Sequence, residues 1–329
     1  MATRLSIGIV SAGRVGSALG SALRAAGHTI VGAHAPSEAS LDRLGAMLPG
    51  VPALSVEEVA RRAEVLLFAV PDDELGPLVE GLAKLGCFTA GQLAIHVAGR
   101  YGVSVLEPAA RAGALALAVH PAMTFTGTSL DVARLVGCPF AVTAPATLLP
   151  IGQALVTETG GTPVVVAEED RGLYHAALAH GANHLVTLVA QSMRVLEALG
   201  VEAPGAYLAP LLQAALDGTL SSGESALTGP VARGDVGTVR EHLASLDVLA
   251  ATGDYADIPP AYLALARATA ARVAARSLRE PPAIDRLLAE LDGGASGLAT
   301  PGSAEPDGSV DSRLRASDGG DSSYSAEPD

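Results

Sequence analysis

Lysine is almost absent from this chain of 329 residues: Lys84 is the only lysine among 21 basic residues, which nearly excludes mechanisms that need a catalytic lysine. Tryptophan is missing and aromatic residues make up 3%, so a core has to be built from Ala, Val and Leu. The formal net charge of −14 argues against a nucleic-acid partner, because such affinity comes mainly from Lys and Arg neutralising phosphates.

Cysteine is also scarce. Cys87 and Cys138 are the only two, too few for a disulfide framework or a metal cluster, so we expect no metal and a reducing cytoplasm. The N-terminus lacks the layout of a signal peptide. One uncharged stretch, 135–157, is long enough to cross a bilayer, but its three prolines would break a helix, so we expect no membrane partner.

The first half of the chain alternates short apolar runs with helical patterns, which predicts an α/β fold with a doubly wound, mostly parallel sheet over residues 1–167. A helix at Arg14–Ala26 is expected to end at Gly27, and the capping-box spacing of Ser55 and Glu58 predicts another helix start. Strands are predicted at Arg4–Val10, Thr29–Ala33, Val65–Val70, Gln92–Val97, Ala114–Val119, Phe140–Thr143 and Thr162–Ala167.

From Glu168 onward the pattern changes to Ala- and Leu-rich helices, which predicts an all-helical second domain over residues 168–291. Its helices are expected at Glu168–Leu199, Pro204–Gly218, Val236–Leu249, Pro260–Ser277 and Pro282–Leu291. The tail, 292–329, has eight acidic residues, two arginines and almost no apolar residue, so it is predicted to be disordered.

The strongest chemical signal is the segment GIVSAGRVG at Gly8–Gly16, at a predicted strand–turn–helix joint. In dinucleotide-binding turns the glycines shape the turn and admit the pyrophosphate, and the helix N-terminus supplies N–H groups to it. Ser11 takes the place of the usual first glycine. We expect the cofactor to contact Ser11, Ala12, Gly13, Arg14, Val15 and Gly16; a purely structural turn is the alternative.

The end of the second strand, His34–Ser37, lacks the Asp or Glu that would bind the ribose of NAD. A 2′-phosphate is then not repelled, and Ser37 or Arg43 could bind it, which favours NADP; a loop that simply faces solvent is the alternative. Val70 and Pro71, at the end of the third strand, are expected to line the cofactor site, because the carboxyl ends of parallel strands form the ligand crevice.

Two histidines end neighbouring strands. His96 and His120 are both expected at the mouth of the crevice, His96 beside the cofactor and His120 as the proton donor to a carbonyl oxygen. A structural role for either is the alternative.

Further polar residues interrupt the helical half. Asn183 is expected to orient the substrate, with His175 on the same helix face. His180 and His184 have the spacing of a metal pair but lack a carboxylate partner, so local hydrogen bonds are favoured over zinc. Arg233 is expected to bind a substrate carboxylate, the alternative being an ion pair with its neighbour in the loop.

Together, the segments GIVSAGRVG, VPDDE, HVAG, HPAMTFTG, YHAALAHGANH and LTGPVARGD resemble Rossmann-like oxidoreductases with a helical C-terminal domain of unknown function. That family belongs to the 6-phosphogluconate dehydrogenase-like group, beside ketopantoate reductase and pyrroline-5-carboxylate reductase. The resemblance covers about residues 5–290. It implies NADP binding at Gly13 and Gly16 and a site between the domains near His120, Asn183 and the Thr228–Asp235 loop.

One residue departs from that resemblance. Ordinary ketopantoate reductases have a lysine four residues before an asparagine on the first helix of the second domain, whereas Ala179 stands at that distance before Asn183. A histidine would therefore have to donate the proton.

The leading hypothesis is an NADPH-dependent reductase of a small 2-oxo acid, with ketopantoate of pantothenate synthesis as first candidate, acting as a homodimer on a small-molecule substrate. One alternative is a cyclic-imine reductase resembling pyrroline-5-carboxylate reductase. Another is a catalytically silent NADP-binding protein that acts through partners.

Overall fold

The computed structural model of the chain describes residues 4–276 and 282–293. The chain divides into two compact units, the first up to Ser192 and the second from Met193. Most of the acidic tail predicted from residue 292 lies outside the described residues; its first two residues belong to the last helix.

The first unit is built on a sheet, for which the described part of the chain supplies seven strands. The spatial order of the strands is β2-β1-β3-β4-β5-β6-β7. Every neighbouring pair is parallel except β5 and β6, which are antiparallel. Because β2 and β3 lie on opposite sides of β1, the chain reverses direction across the sheet there, and ligands bind at such switch points. The strands are β1 Ser6–Val10, β2 Thr29–His34, β3 Val65–Phe68, β4 Leu93–His96, β5 Leu115–Pro121, β6 Pro139–Thr143 and β7 Thr162–Val165.

Helices cover both faces of this sheet. Ser37 and Ser55 start two of them with capping boxes, and Gly27, at φ 98°, ends the first helix in the left-handed conformation that glycine favours. The helices are α1 Arg14–Ala25, α2 Glu38–Met47, α3 Val56–Arg62, α4 Asp72–Lys84, α5 Glu107–Arg111, α6 Leu130–Arg134, α7 Leu149–Glu158, α8 Arg171–Leu178 and α9 His184–Ala198. A 3₁₀ turn at Val103–Leu106 precedes α5, and a π-helical turn at Ala179–Asn183 joins α8 to α9.

Alternate strand residues point to opposite faces, so two apolar layers form. Ile7 and Ile9 of β1 pack with Leu19 of α1 on one face, and Leu66 and Phe68 of β3 pack on the other. Burying the sheet on both sides explains why strands such as β3 are apolar throughout.

The second unit is helical in its described part. A core that includes Val239, Ala266, Ala270, Ile284 and Leu287 packs its last helices together. Its elements after α9 are α10 Pro204–Ser222, a 3₁₀ turn at Gly223–Ala226, α11 Pro230–Arg233, α12 Val236–Ala250, α13 Ile258–Arg276 and α14 Pro282–Gly293.

The fold class predicted from the sequence is confirmed. Two details differ. The predicted helix 168–199 is interrupted by the π turn, and the boundary between the compact units falls inside α9 rather than at residue 168. The second difference arises because Arg171, near the start of that helical stretch, inserts into the sheet of the first unit. Within the described ranges, no helix is both long and apolar enough to cross a membrane.

Candidate active site

The turn between β1 and α1 has the geometry of a dinucleotide-binding loop. Ser11 has φ of 76°, a left-handed conformation that no other non-glycine residue in the described ranges adopts. Gly16 has no room for a side chain, since a Cβ there would lie 2.2 Å from the carbonyl oxygen of Ser11. At Gly13 the nearest atom to such a Cβ is Ser11 Oγ, at 3.4 Å. The turn therefore requires a left-handed backbone at the first motif position, Ser11, and a glycine at the third, Gly16. The second position, Gly13, leaves space for a ligand.

The start of α1 can receive an anion. Gly13 caps this helix without a side-chain hydrogen bond, and the first turn contains no acidic residue. N–H groups at a helix start carry partial positive charge and bind phosphates. The amide of Ala12 donates to the carbonyl oxygen of His34 at 2.7 Å, which holds the loop against the end of β2. The loop thus fits the pyrophosphate of a dinucleotide.

Two arginines lie together near this loop. A Cβ on Gly127 would lie 2.7 Å from Arg43 Nε and 2.9 Å from Arg14 Cγ, so both side chains pack against the same glycine. Neither guanidinium has an ion-pair partner in the described part of the chain. Ser37 instead uses its hydroxyl within α2, accepting from the amide of Ser40 at 3.2 Å. The arginine pair is therefore better placed than Ser37 to meet a phosphate.

The residues predicted to line the cofactor site lie at the carboxyl end of β3. Val70 is half-buried and Pro71 is exposed, where it caps α4. Ala69, just before them, would be 3.2 Å from a Cβ on Gly16, which places the end of β3 beside the loop.

His96 does not lie at the mouth of the crevice, and that expectation is wrong. Its side chain is fully buried: Nε2 is 2.7 Å from the carbonyl oxygen of Gly102, and Nδ1 accepts from the amide of Ala98 at 3.1 Å. Strand register gives the reason. His96 pairs with Ala118 of β5, so His120 lies two residues nearer to the carboxyl edge.

His120 does line a cavity. Its volume is about 310 Å³, and its walls come from the end of β5, the loop after it, α8 and the π turn: His120, Ala122, Met123, Thr124, His175, Leu178, Ala179, Ala182 and Asn183. The structure thus brings His120 and Asn183, predicted from distant parts of the sequence, to one cavity, with His175 beside them. Ala179 contributes only a methyl group there.

Space for the two imidazoles depends on Gly99, which follows β4. A Cβ on Gly99 would lie 2.6 Å from His175 Cδ2 and 3.0 Å from His120 Nε2. The two rings meet edge to face, with centroids 6.3 Å apart.

Behind the cavity, two residues that the sequence did not single out as catalytic contact this group. Tyr174 Oη is 2.8 Å from His120 Nδ1. Arg171 is 1% exposed; its Nε donates to Thr143 Oγ1 at 2.8 Å, and its Nη2 donates to the carbonyl oxygens of Ala118 and Ala141. The i, i+3 spacing of Arg171 and Tyr174, which places them on one face of α8, was the available signal.

Burial and the nearby arginine keep both strand-end histidines neutral. The pKa of His120 is lowered to about 4, first by burial and then by the positive charge of Arg171. The pKa of His96 is also lowered to about 4, chiefly by burial. The pKa of the Tyr174 phenol is raised by burial, which Arg171 opposes. At neutral pH, His120 is therefore an uncharged hydrogen-bonding group rather than an imidazolium acid.

Asn183 owes its position to the π turn. The amide of His184 bonds to the carbonyl oxygen of Ala179, five residues back, and single π turns occur frequently at functional sites. The extra residue brings both Ala179 and Asn183 to the cavity wall.

Three predicted residues remain, Arg233, His180 and His184. Arg233 is exposed in the second unit, at the end of α11, and its role stays a prediction. Asp235, two residues on, caps α12 through the amide of Thr238 at 3.1 Å. The Nδ1 atoms of His180 and His184 are 2.9 Å apart, and no group of three or more His, Cys, Asp or Glu in the described ranges is arranged to hold a metal.

Comparison with known families agrees with this architecture. Residues 1–121 match the Rossmann-like domain, and residues 138–269 match a domain of unknown function, DUF2520. The two matches follow one another along the chain, a Rossmann-like domain and then DUF2520. No curated protein is significantly similar to it in sequence.

Solved structures share the fold over most of the chain. A candidate NADP oxidoreductase from Bacteroides fragilis has a TM-score of 0.67 at 21% identity, with 81% of this chain and 98% of that chain covered. A protein from Thermotoga maritima has a TM-score of 0.60 at 22% identity, with coverages of 83% and 100%. An imine reductase variant from Myxococcus stipitatus in complex with NAD⁺ has a TM-score of 0.52 at 17% identity, with coverages of 88% and 99%. Identities this low show a common fold.

Proposed function

We propose that the protein is an NADP-dependent oxidoreductase that reduces a small 2-oxo acid, with ketopantoate as the first candidate. The observation that carries the proposal is the pairing, within one compact unit, of an open dinucleotide loop with a cavity lined by His120 and Asn183. Structures of the same fold include a candidate NADP oxidoreductase.

The residues present fit the cofactor. The backbone from Ser11 to Gly16 would hold the pyrophosphate, and Arg14 and Arg43 would bind the 2′-phosphate. Val70 and Pro71 would line the cofactor site at the carboxyl end of β3. When bound, NADPH supplies a hydride to the substrate carbon.

The chain's own residues bind and orient the substrate. His120 Nε2 has no hydrogen-bond partner in the described chain, so it is free to donate to a substrate oxygen in the cavity. The Asn183 amide offers a second donor on the cavity wall. Arg233 would bind the substrate carboxylate, as proposed from the sequence.

The test is NADPH consumption by the purified protein with ketopantoate, with NADH run in parallel. We expect turnover with NADPH and a loss of at least about a hundredfold in kcat for His120→Ala, the usual range for a proton-transfer group. His242→Ala is the matched control, because His242 also bonds to a tyrosine, Tyr262, at 2.9 Å, but lies in the second unit. Unchanged turnover in His120→Ala would rule out this role.

Cofactor preference is tested separately by nucleotide binding. Arg14→Ala and Arg43→Ala should each weaken NADPH binding about tenfold and leave NADH binding nearly unchanged, since NADH has no 2′-phosphate. Arg62→Ala, which removes an exposed arginine paired with Glu58, is the control. Equal effects on both nucleotides would contradict the assignment.

One observation favours a second candidate, reduction of a cyclic imine. Because His120 is neutral at pH 7 and no lysine or arginine lines the cavity in the described chain, a strong acid is missing there. An imine nitrogen is itself basic and does not need one. Turnover of a cyclic imine but of no 2-oxo acid would select this activity, and tight NADPH binding without turnover of either would indicate a catalytically silent protein.

We also propose that the protein is a homodimer. α10 exposes large apolar side chains on both of its faces, Tyr207, Leu211, Leu216 and Leu220, each between 44% and 78% exposed. A helix that is apolar all round is normally buried. Sedimentation analysis should therefore give twice the chain mass, and Leu211→Glu combined with Leu220→Glu should give a monomer. A wild-type monomer at micromolar concentration would overturn the proposal.

A further inference from the structure

His120, which lines the cavity, forms a hydrogen-bonded pair with Tyr174. Tyr174 Oη and His120 Nδ1 are 2.8 Å apart, and the rings stand edge to face with centroids 5.6 Å apart and an interplanar angle of 85°. The pair leaves His120 Nε2 as the ring nitrogen without a partner in the described chain.

The direction of this hydrogen bond decides what His120 offers the cavity. A neutral imidazole carries one N–H, so a phenol that donates to Nδ1 leaves the proton on Nε2. In the described ranges Tyr174 Oη has no hydrogen-bond partner besides His120 Nδ1, so the phenol O–H satisfies its proton by donating to Nδ1; an Nδ1–H that donated to Oη would leave that proton unpaired. The cavity then meets an N–H group rather than a bare nitrogen.

We propose that Tyr174 is a positioning residue that holds His120 in its Nε2–H form and donates its phenol proton to Nδ1 when Nε2 protonates the substrate. This inference deepens the proposed function and rests on it.

The proton balance is complete with the hydride donor already proposed. Bound NADPH would supply the hydride to the carbonyl carbon; as the C=O bond becomes C–O, His120 Nε2 would give its proton to the oxygen. The Tyr174 O–H proton passes to Nδ1, so the imidazole stays neutral and the tyrosine becomes a phenolate. Solvent restores the phenol after product leaves.

The positive charge of Arg171 stabilises the Tyr174 phenolate, which would otherwise be costly to form in a partly buried position. The Arg171 Cζ atom lies 5.9 Å from the centre of the Tyr174 ring, and its guanidinium has no carboxylate partner in the described chain. Its Nη1 is buried without a hydrogen-bond partner in the same ranges. Three hydrogen bonds to neutral oxygens and the negative charge of Glu168 offset part of the cost of burying this cation, and an anion that forms beside it on Tyr174 would be stabilised by it.

The first test does not depend on turnover. In the full-length protein labelled with ¹⁵N-histidine, NMR distinguishes a protonated from a bare ring nitrogen, and His120→Gln assigns the signal. We expect His120 to carry its proton on Nε2 in the wild type and to show a mixture of both forms in Tyr174→Phe, which keeps the ring but removes the O–H. A proton on Nδ1 in the wild type would overturn the inference.

The second test is kinetic. Tyr174→Phe should lower kcat about tenfold or more while KM for NADPH stays within about twofold, because the lost group acts only in the proton transfer. Tyr262→Phe is the matched control: it removes a His–Tyr hydrogen bond of 2.9 Å in the second unit, and kcat should not change. An unchanged kcat in Tyr174→Phe would overturn the relay.

The two proposals can fail separately. A wild-type protein that turns over neither oxo acid nor imine contradicts the proposed function, and the NMR result still decides whether Tyr174 sets the form of His120.

Discussion

At the scale of single residues, Gly99 controls how the two cavity histidines pack. We predict that Gly99→Ala displaces an imidazole, because the added Cβ would lie 2.6 Å from His175 Cδ2 and 3.0 Å from His120 Nε2. Reductase activity should fall at least about tenfold while NADPH binding is retained, since a small misplacement of a reacting group is costly. Steady-state kinetics and nucleotide titration measure the two effects.

A second glycine provides the control for that substitution. A Cβ on Gly81, in α4, would meet nothing within 4 Å, so Gly81→Ala should leave activity unchanged and raise stability by about 0.5–1 kcal/mol. Full activity in Gly99→Ala would show that the histidine packing does not matter for catalysis.

The histidines also show how far residue-level prediction reaches. His96 and His120 both end apolar strands, and the sequence could not separate them because strand register is set by pairing across the sheet. In the sheet, His120 lies two residues nearer to the carboxyl edge than His96. Because of this offset the His96 ring is buried and the His120 ring lines a cavity. Arg171 was missed because its partners, Thr143 and two carbonyl oxygens, are distant in sequence.

At the scale of elements, the π turn between α8 and α9 positions Asn183. We predict that deleting Gly181 restores a regular helix and rotates Asn183 by roughly 100° about the axis relative to α8, since each helical residue turns by that amount. Asn183 would leave the cavity wall, so activity should be lost while far-ultraviolet circular dichroism and NADPH binding persist.

A substitution at the same position separates geometry from composition. Gly181→Ala keeps the residue count, and a Cβ there would meet nothing within 4 Å, so it should retain activity. Equal activity in the deletion variant would contradict the role assigned to the turn. The sequence pattern predicted this region as one continuous helix, because the single extra residue leaves its apolar composition unchanged.

At the scale of the whole molecule, strand periodicity and the glycine motif were sufficient to predict the sheet domain. They did not predict where the first compact unit ends. α8 has the composition of the helical half of the chain, yet Arg171 anchors it to β5 and β6 through the carbonyl oxygens of Ala118 and Ala141. Such an anchor depends on buried polar contacts, which local composition does not encode.

Whole-molecule stability should depend on pH through the buried histidines. The pKa of His96 and of His120 is about 4 in the folded protein, against an ordinary value near 6.5. Between these values the unfolded chain binds more protons than the folded one, so the free energy of unfolding falls as pH decreases from 6.5 toward 4. For His96 the full loss is about 3 kcal/mol, the energetic equivalent of that pKa difference.

Urea unfolding at pH 7 and at pH 5 measures this loss before most carboxylates titrate. Asp131 and Glu168 have lowered pKa values and stay ionised in this window, so they do not mask the histidines. His96→Gln, which can still donate to the carbonyl oxygen of Gly102 but does not titrate, should reduce the difference between the two pH values. His180→Gln, on an exposed helix surface, should leave it unchanged. If both variants kept the wild-type pH dependence, burial of His96 as a neutral imidazole would not be its source.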